Sequence, residues 1–342
     1  MSIAVSAVHE TNCWIVVTLG LVLNSVLIFL IFQQTSKEMR IYSRILLQTA
    51  FIDFCCLLTT AFVQPIYLMY NGHNVVITNG LLRSFGQSWA FVMTMWWFFI
   101  GCFSIISNCV PFIYRYLVLC REKVISPMCY ASILLVCVLF SIIFVGAVIW
   151  ATHPDDEQLM KINLTTMELS NFLNQPNDMA PLRIGFMVKA DNYRWAISSL
   201  YGMSLEIVCY IIIFICGVKI KRNVRAAIFA GCYNPRLMEV NRQLSVVLLF
   251  QTILPAFELG PSMACLITSV FFGSSTNIYF ISFATLSMQW IAVLNPLVTI
   301  IMVKPYRNSL SPNSSLMRWL YPGNVVPLHG EDPIVTQLRG DV

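Results

Sequence analysis

The sequence predicts an all-α membrane protein, a seven-transmembrane helix bundle with its N-terminus outside and its C-terminus cytoplasmic. Three observations support this: the composition, the long apolar blocks and the distribution of basic residues. The chain has 342 residues, of which 58% are hydrophobic and 11% charged. Soluble domains are about half apolar and about a quarter charged. A net charge of +5 with no basic face or tail excludes nucleic acid as a partner and leaves the lipid bilayer.

The apolar residues form seven blocks, and a block of about 18 residues can cross a bilayer as a helix. We place the spans at about 14–32, 45–69, 89–113, 128–150, 195–220, 244–270 and 278–303. Residues 1–13 then form an extracellular N-terminus and residues 14–307 the bundle. Residues 308–342 are predicted to be a cytoplasmic tail that is largely disordered, because prolines recur among mixed polar residues.

The basic residues predict the orientation of the bundle. Most of the 21 Lys and Arg residues lie in the loops after spans 1, 3 and 5 and in the tail. Short loops rich in Lys and Arg stay on the cytoplasmic side. The triplet Asn163-Leu164-Thr165 falls in the longest loop of the opposite side, so Asn163 is a predicted glycosylation site, although such triplets are also common by chance.

Polar side chains inside the spans mark candidate functional positions, because each is costly in lipid. Asn24, Asp53, Asn108 and Asn295 lie on four spans at similar depth, roughly 12 Å from the cytoplasmic end in the case of Asp53. We expect them to face inward and bond to one another, directly or through water or a cation. Pro296 removes a backbone donor and bends span 7, so this polar layer could act as a switch. A static network that only holds the bundle together is the alternative.

A second set of residues lies nearer to the outside and combines large aromatic rings with carboxyl and amide groups. Such a set predicts an apolar ligand pocket with a few polar handles, open to the outside. For each aromatic residue alone, core packing or lipid contact is the alternative. The set comprises Trp96, Trp97, Tyr201, Glu206, Gln251, Glu258, Gln289 and Trp290.

No catalytic or metal-binding pattern is visible. The four His residues lie outside the predicted spans, and neither a metalloprotease motif, a nucleophile elbow, a P-loop nor a dinucleotide fingerprint occurs. The 12 Cys residues show no zinc-site spacing. We therefore expect no enzyme activity and no cofactor.

Three stretches carry a resemblance to a known family: NSVLIFLIFQQTSKEMRIYSRILLQTAFID at 24–53, PFIYRYLVLCR at 111–121 and NPLVTIIMVKPYR at 295–307. With seven spans and the layer that contains the Asn295-Pro296 pair, the chain resembles a G-protein-coupled receptor. More specifically, it looks like a nematode serpentine chemoreceptor of the Str superfamily, in its Srd or Str branch.

The resemblance implies a chemosensory, olfactory receptor in the plasma membrane of the sensory cilium of chemosensory neurons. It would detect an odorant or a soluble chemical cue and activate a heterotrimeric G protein. Arg115 would contact the G protein or hold the inactive state, and Tyr306 and Arg307 match the family's ending of span 7. The chain departs from the wider receptor pattern because neither the outer start of span 3 nor residues 151–194 contain a Cys, so the usual disulfide between them is missing.

Two other functions compete with this interpretation. A seven-span ligand-gated cation channel would need the opposite orientation, which the basic loops disfavour. A transporter would use Asp53, Glu206 and Glu258, but its two halves would be expected to break their helices at matching positions, and the prolines here do not match.

Overall fold

The computed structural model describes residues 5–34, 40–70, 72–123, 125–152, 183–229, 243, 245–253, 286 and 289–310. Helices make up most of this part of the chain. They are α1 (Val5–Gln34), α2 (Arg40–Val63), α3 (Gln87–Ser107), α4 (Val110–Arg121), α5 (Pro127–Thr152), α6 (Tyr193–Phe229), α7 (245–253), α8 (Ile291–Met302) and α9 (Lys304–Ser309).

Among the described residues, five helical segments are long and apolar enough to cross a membrane, at 7–34, 43–63, 87–121, 127–152 and 193–226. Their side chains are only partly buried: in the most apolar window of α5 just 17% of the residues are buried. Large apolar side chains such as Phe32 and Phe214, each more than 70% exposed, point away from the bundle. A helix that is apolar all round but mostly uncovered is stable only where lipid covers it.

The predicted span 3 is two helices. Pro111 lacks a backbone N–H, and its ring crowds the carbonyl of Ser107, where α3 ends. The backbone of Asn108 and Cys109 turns tightly there, with N–H groups bonded to carbonyls three residues earlier. Beyond this break α4 runs to Arg121, well past the predicted end at 113, and ends at Glu122 in the left-handed conformation with φ 51°.

A three-stranded antiparallel sheet caps one end of the bundle, and the all-α prediction did not include it. Its strands are β1 (Pro65–Tyr70), β2 (His73–Thr78) and β3 (Arg183–Lys189), in the order β1-β2-β3. The predicted span 2 extends to 69, but α2 ends at Val63, because Gln64 takes φ 42° and Pro65 cannot continue a helix. We call this end of the bundle the sheet end.

One face of the sheet packs on the helices. Val76 and Phe186 of the sheet cluster with Met95 of α3 and Val148 of α5. The contact is close at a bulge in β3, where a Cβ added to Gly185 would lie 2.0 Å from the Thr94 hydroxyl. Only a residue without a side chain allows β3 to approach α3 this closely.

The largest apolar core lies at the opposite end of the bundle, where the end of α1 meets the start of α2 and the two halves of span 3. Tyr306 of the short helix α9 is fully buried in this core. Val303 is extended between α8 and α9 and turns the chain so that α9 packs against α1.

Candidate functional site

The polar layer is built around a pairing of Asp53 with Asn295. The Asn295 amide nitrogen donates to both carboxylate oxygens of Asp53, at 3.1 Å each. Both residues are at least 95% buried. The pair joins α2 to α8 in the interior of the bundle, as the sequence predicted for these two residues.

The Asn24 side chain replaces a backbone hydrogen bond that Pro296 removes from span 7. In an α-helix the N–H of residue 296 would bond to the carbonyl of residue 292, and proline has no N–H to give. The Asn24 side chain donates to that carbonyl, on Ala292, at 3.0 Å. Asn24 thus supplies the donor that Pro296 lacks, and α1 thereby becomes part of the site.

The layer extends further than the sequence predicted. The Thr299 hydroxyl donates to the Asn295 carbonyl at 2.8 Å, and the Gln251 amide donates to the Thr299 hydroxyl at 3.3 Å. Gln251, one of the predicted pocket residues, contacts the layer through this hydrogen bond. The hydrogen-bond chain Asp53–Asn295–Thr299–Gln251 therefore connects α2, α8 and α7.

Asn108 is not joined to this layer by a side-chain hydrogen bond in the described part of the chain. It lies half-buried at the break between α3 and α4, where its backbone N–H serves as a cap. The side-chain oxygens of Asn24 and Asn295 are buried and accept no hydrogen bond from any described residue. The layer thus has more hydrogen-bond acceptors than donors, so some of its buried oxygen atoms have no hydrogen bond.

The predicted pocket residues on α3 and α6 are only partly brought together. Trp96 is half exposed on the side of the bundle, where its indole N–H donates to Thr59 of α2 at 3.2 Å. Its ring stacks on Phe99, which fits a lipid-facing role better than a pocket wall. Trp97 and Tyr201 are half-buried.

Glu206 is a predicted pocket residue that has a carboxyl group inside a membrane-spanning helix. Its Oε1 atom is buried and has no hydrogen-bond partner among the described residues. An unpaired carboxylate oxygen in a bundle interior is costly, and such groups mark functional positions in membrane proteins. Glu258 and the glycosylation candidate Asn163 lie outside the described residues.

Gln289 and Trp290 form a polar cluster with α1. Gln289 Oε1 accepts from the Asn12 amide at 3.0 Å and from the Cys13 thiol at 3.1 Å. The Trp290 indole N–H donates to Asn12 Oδ1 at 3.1 Å. The α1 side of this cluster lies outside the predicted span 1, which starts at 14, whereas α1 begins at Val5 and includes His9.

The residues predicted for the G-protein side differ in exposure. Arg115 is 98% buried and donates from Nη2 to the Ser245 hydroxyl at 2.9 Å, which ties α4 to α7. Tyr306 is a core residue, and Arg307 is exposed on α9. Of these three, Arg307 alone presents its side chain to the surroundings.

The architecture defines the class of the protein. The chain is similar to squid rhodopsin in its crystal structure, with a TM-score of 0.58 and 14% identity over 93% of this chain and 83% of that one. It therefore has the fold of a rhodopsin-like seven-helix membrane receptor, and it is a multi-pass membrane protein.

The family follows from the sequence profile. Residues 10–311 match the family described as serpentine type 7TM GPCR chemoreceptor Srd, so the chain belongs to that family. This confirms the resemblance drawn from the three sequence stretches and decides between the two branches. A comparison with curated proteins gives no match.

Proposed function

We propose that the protein is an olfactory G-protein-coupled receptor that detects a small-molecule cue at the sheet end and activates a heterotrimeric G protein at the opposite end. In this proposal the sheet end faces outward, and the receptor resides in the plasma membrane of a sensory cilium. Family membership supports the receptor class. The basic loops after spans 1, 3 and 5 support the orientation.

The observation that carries the proposal is the buried chain Asp53–Asn295–Thr299–Gln251. It links α2, α8 and α7 through hydrogen bonds around Pro296 in span 7. In this proposal span 7, which is interrupted by Pro296 and held by a few polar contacts, has two packings of similar energy, which a switch requires. Ligand binding at the sheet end would shift the balance between them by its differential affinity for the two.

The bond between Arg115 and Ser245 supplies the second half of the proposed switch. It lies towards the opposite end, where the G protein would bind, and holds α4 against α7. In the receptor's resting state it would keep this end closed. Activation would break it and release the buried guanidinium towards the G protein.

The experiment is a test of guanine-nucleotide exchange on co-expressed G proteins in response to a panel of small volatile and water-soluble compounds. The matched variants are Asp53→Ala and Asp191→Ala, since Asp191 is an exposed acidic residue before α6. Asp53→Ala is expected to abolish exchange while an agonist still binds, and Asp191→Ala to leave both unchanged. Equal loss of binding and exchange in Asp53→Ala, at normal surface expression, would contradict the proposed switch.

The competing functions are outcomes of the same experiment. A current that an agonist evokes while G-protein signalling is blocked would identify a channel. Uptake of a compound into sealed vesicles would identify a transporter. Either result, with no nucleotide exchange, would overturn the receptor proposal.

A further inference from the structure

The first turns of α1 contact span 7 just before α8 begins, at Gln289 and Trp290, through one face of α1. His9, Asn12 and Cys13 are three and four residues apart, so their side chains lie on the same face of α1. Asn12 and Cys13 on this face bond to Gln289, and Asn12 also bonds to Trp290. His9 lies one turn nearer to the sheet end than Cys13.

The hydrogen bonds of this cluster leave a specific set of groups unused. His9 is 98% buried, and neither its Nδ1 nor its Nε2 atom has a hydrogen-bond partner in the described part of the chain. The Gln289 Nε2 amide is also buried and donates to no described residue. A contact that only joined α1 to span 7 would need Asn12, Cys13 and Gln289 Oε1. It would not need a buried imidazole whose two nitrogens make no hydrogen bond.

The unused groups define the chemistry that would satisfy them. Gln289 Nε2 requires an acceptor, and one nitrogen of a neutral imidazole also requires a donor. His9 is four residues from Cys13, about one helical turn or roughly 6 Å along α1, and the Cys13 thiol contacts the same amide group of Gln289. A head group with an acceptor atom and a donor atom on the same carbon fits both.

Among common head groups, one meets these conditions without a buried charge. A ketone or an ester has an acceptor but no donor, and an alcohol has only one polar atom. A carboxylic acid has both atoms only when it is protonated; at neutral pH an ordinary carboxyl is a carboxylate, which has no donor and carries a charge that is expensive to bury. A primary carboxamide is neutral and planar, and offers a carbonyl oxygen together with an N–H donor.

We propose that His9 and Gln289 bind the head group of a small primary carboxamide, with Gln289 donating to its carbonyl oxygen and its N–H donating to His9. The Trp290 ring packs on an apolar cluster with Val16, Leu57 and Val293. This cluster adjoins Gln289, so the surroundings of the proposed head-group site are apolar. The inference rests on the proposed receptor function because it assigns the class of ligand recognised at the sheet end.

The test measures binding to the purified full-length chain in lipid nanodiscs, with no G protein present. The probes share one alkyl length: hexanamide, N,N-dimethylhexanamide, hexanol and hexanoate. Hexanamide is expected to bind roughly tenfold to a hundredfold more tightly than the other three, because each of them leaves a buried group unpaired. Equal affinities, or no binding of hexanamide, would overturn the inference without the need for a variant.

Variants assign the binding to the cluster. His9→Phe and Gln289→Met retain the approximate size of the side chains and remove the polar atoms. His9→Phe is expected to weaken hexanamide binding by roughly tenfold to a hundredfold and to leave the affinity for dimethylhexanamide unchanged, because dimethylhexanamide has no N–H to donate. Gln289→Met is expected to weaken the binding of both compounds, because both have the carbonyl oxygen that accepts from Gln289. The control is His73→Phe, a half-buried histidine on β2. Unchanged hexanamide affinity in both cluster variants, or an equal loss in His73→Phe, would contradict the assignment.

The readouts separate this inference from the receptor proposal. Hexanamide binding without nucleotide exchange on any G protein would support the head-group site and count against the receptor function. Exchange driven by another compound, with no hexanamide binding, would support the receptor and overturn the carboxamide site.

Discussion

The pairing of Asn295 with Asp53 gives the most direct test of the polar layer. In Asn295→Ala the Asp53 carboxylate loses the amide that donates to both of its oxygens at 3.1 Å. Because Asp53 is 97% buried, water does not replace that donor freely. A hydrogen bond to a charged group contributes about 1.5–3 kcal/mol. The same substitution removes the unpaired Asn295 oxygen and so relieves part of this loss, which leaves a net destabilisation of about 2 kcal/mol.

Thermal unfolding of the purified chain, followed with a thiol-reactive dye, measures this effect. Cys109, Cys137 and Cys209 are free and buried, so they react only as the bundle opens. A destabilisation of about 2 kcal/mol is expected to lower Tm by roughly 3–6 °C at a fixed scan rate. The control is Asn308→Ala, an exposed asparagine on α9, with an expected shift near zero.

The exchanged pair Asp53→Asn with Asn295→Asp sharpens the test. It restores a carboxylate–amide contact with the partners reversed, so we expect it to recover at least half of the Tm lost in Asn295→Ala. If Asn295→Ala lowers Tm no more than Asn308→Ala does, the hydrogen bond between Asp53 and Asn295 does not stabilise the bundle and the reasoning fails.

Further predictions concern the ends of the bundle. Arg115→Ala and Ser245→Ala are each expected to raise agonist-independent nucleotide exchange several-fold, because each removes the bond between α4 and α7; reduced or unchanged basal exchange in both would contradict this. Gly185→Val is expected to lower Tm by several degrees, because its Cβ would lie 2.0 Å from a threonine hydroxyl on α3, whereas Gly146→Val has open space and serves as the control. Glu206→Gln is expected to change which compounds elicit a response without lowering Tm, since the carboxylate oxygen that it replaces has no described partner; an identical response profile would remove Glu206 from the ligand site.

The helical bundle and the centre of the polar layer could be predicted because they depend on local signals. Long apolar blocks give membrane helices directly. Asp53 and Asn295 are among the few residues inside those blocks that lipid cannot accommodate, so their burial and mutual contact follow from the cost of leaving them unpaired. The break in span 3 also had a local signal in Pro111, which we could have used.

The sheet could not be predicted in the same way. Residues 65–69 are apolar and continue the block of span 2, so composition alone assigns them to the helix. Their strand form depends on pairing with β2 and, through β2, with β3 more than 100 residues away. Only the sequence Asn71-Gly72 between two apolar runs hinted at a hairpin.

The roles of individual pocket candidates were beyond sequence reasoning because helix rotation decides them. Trp96 and Trp97 are adjacent, yet only Trp96 is directed to the exposed side of α3. Gln251 is seven residues before Glu258, a spacing that predicts one helical face for both residues. Its described hydrogen bond is to Thr299 in the polar layer. The position of His9 followed from an extra two turns of α1 that carry little hydrophobic signal, and the sequence analysis therefore left it outside the bundle.

The sheet joins the segment between α2 and α3 to the segment before α6. Neither segment contains a cysteine within residues 64–88 or 151–194. The connection between the two segments is therefore made of backbone N–H···O=C hydrogen bonds. A thiol reductant does not cleave these bonds, and no oxidoreductase is needed to form them. Newly made chains can close it as soon as the strands meet, and mature chains should keep it in a reducing medium.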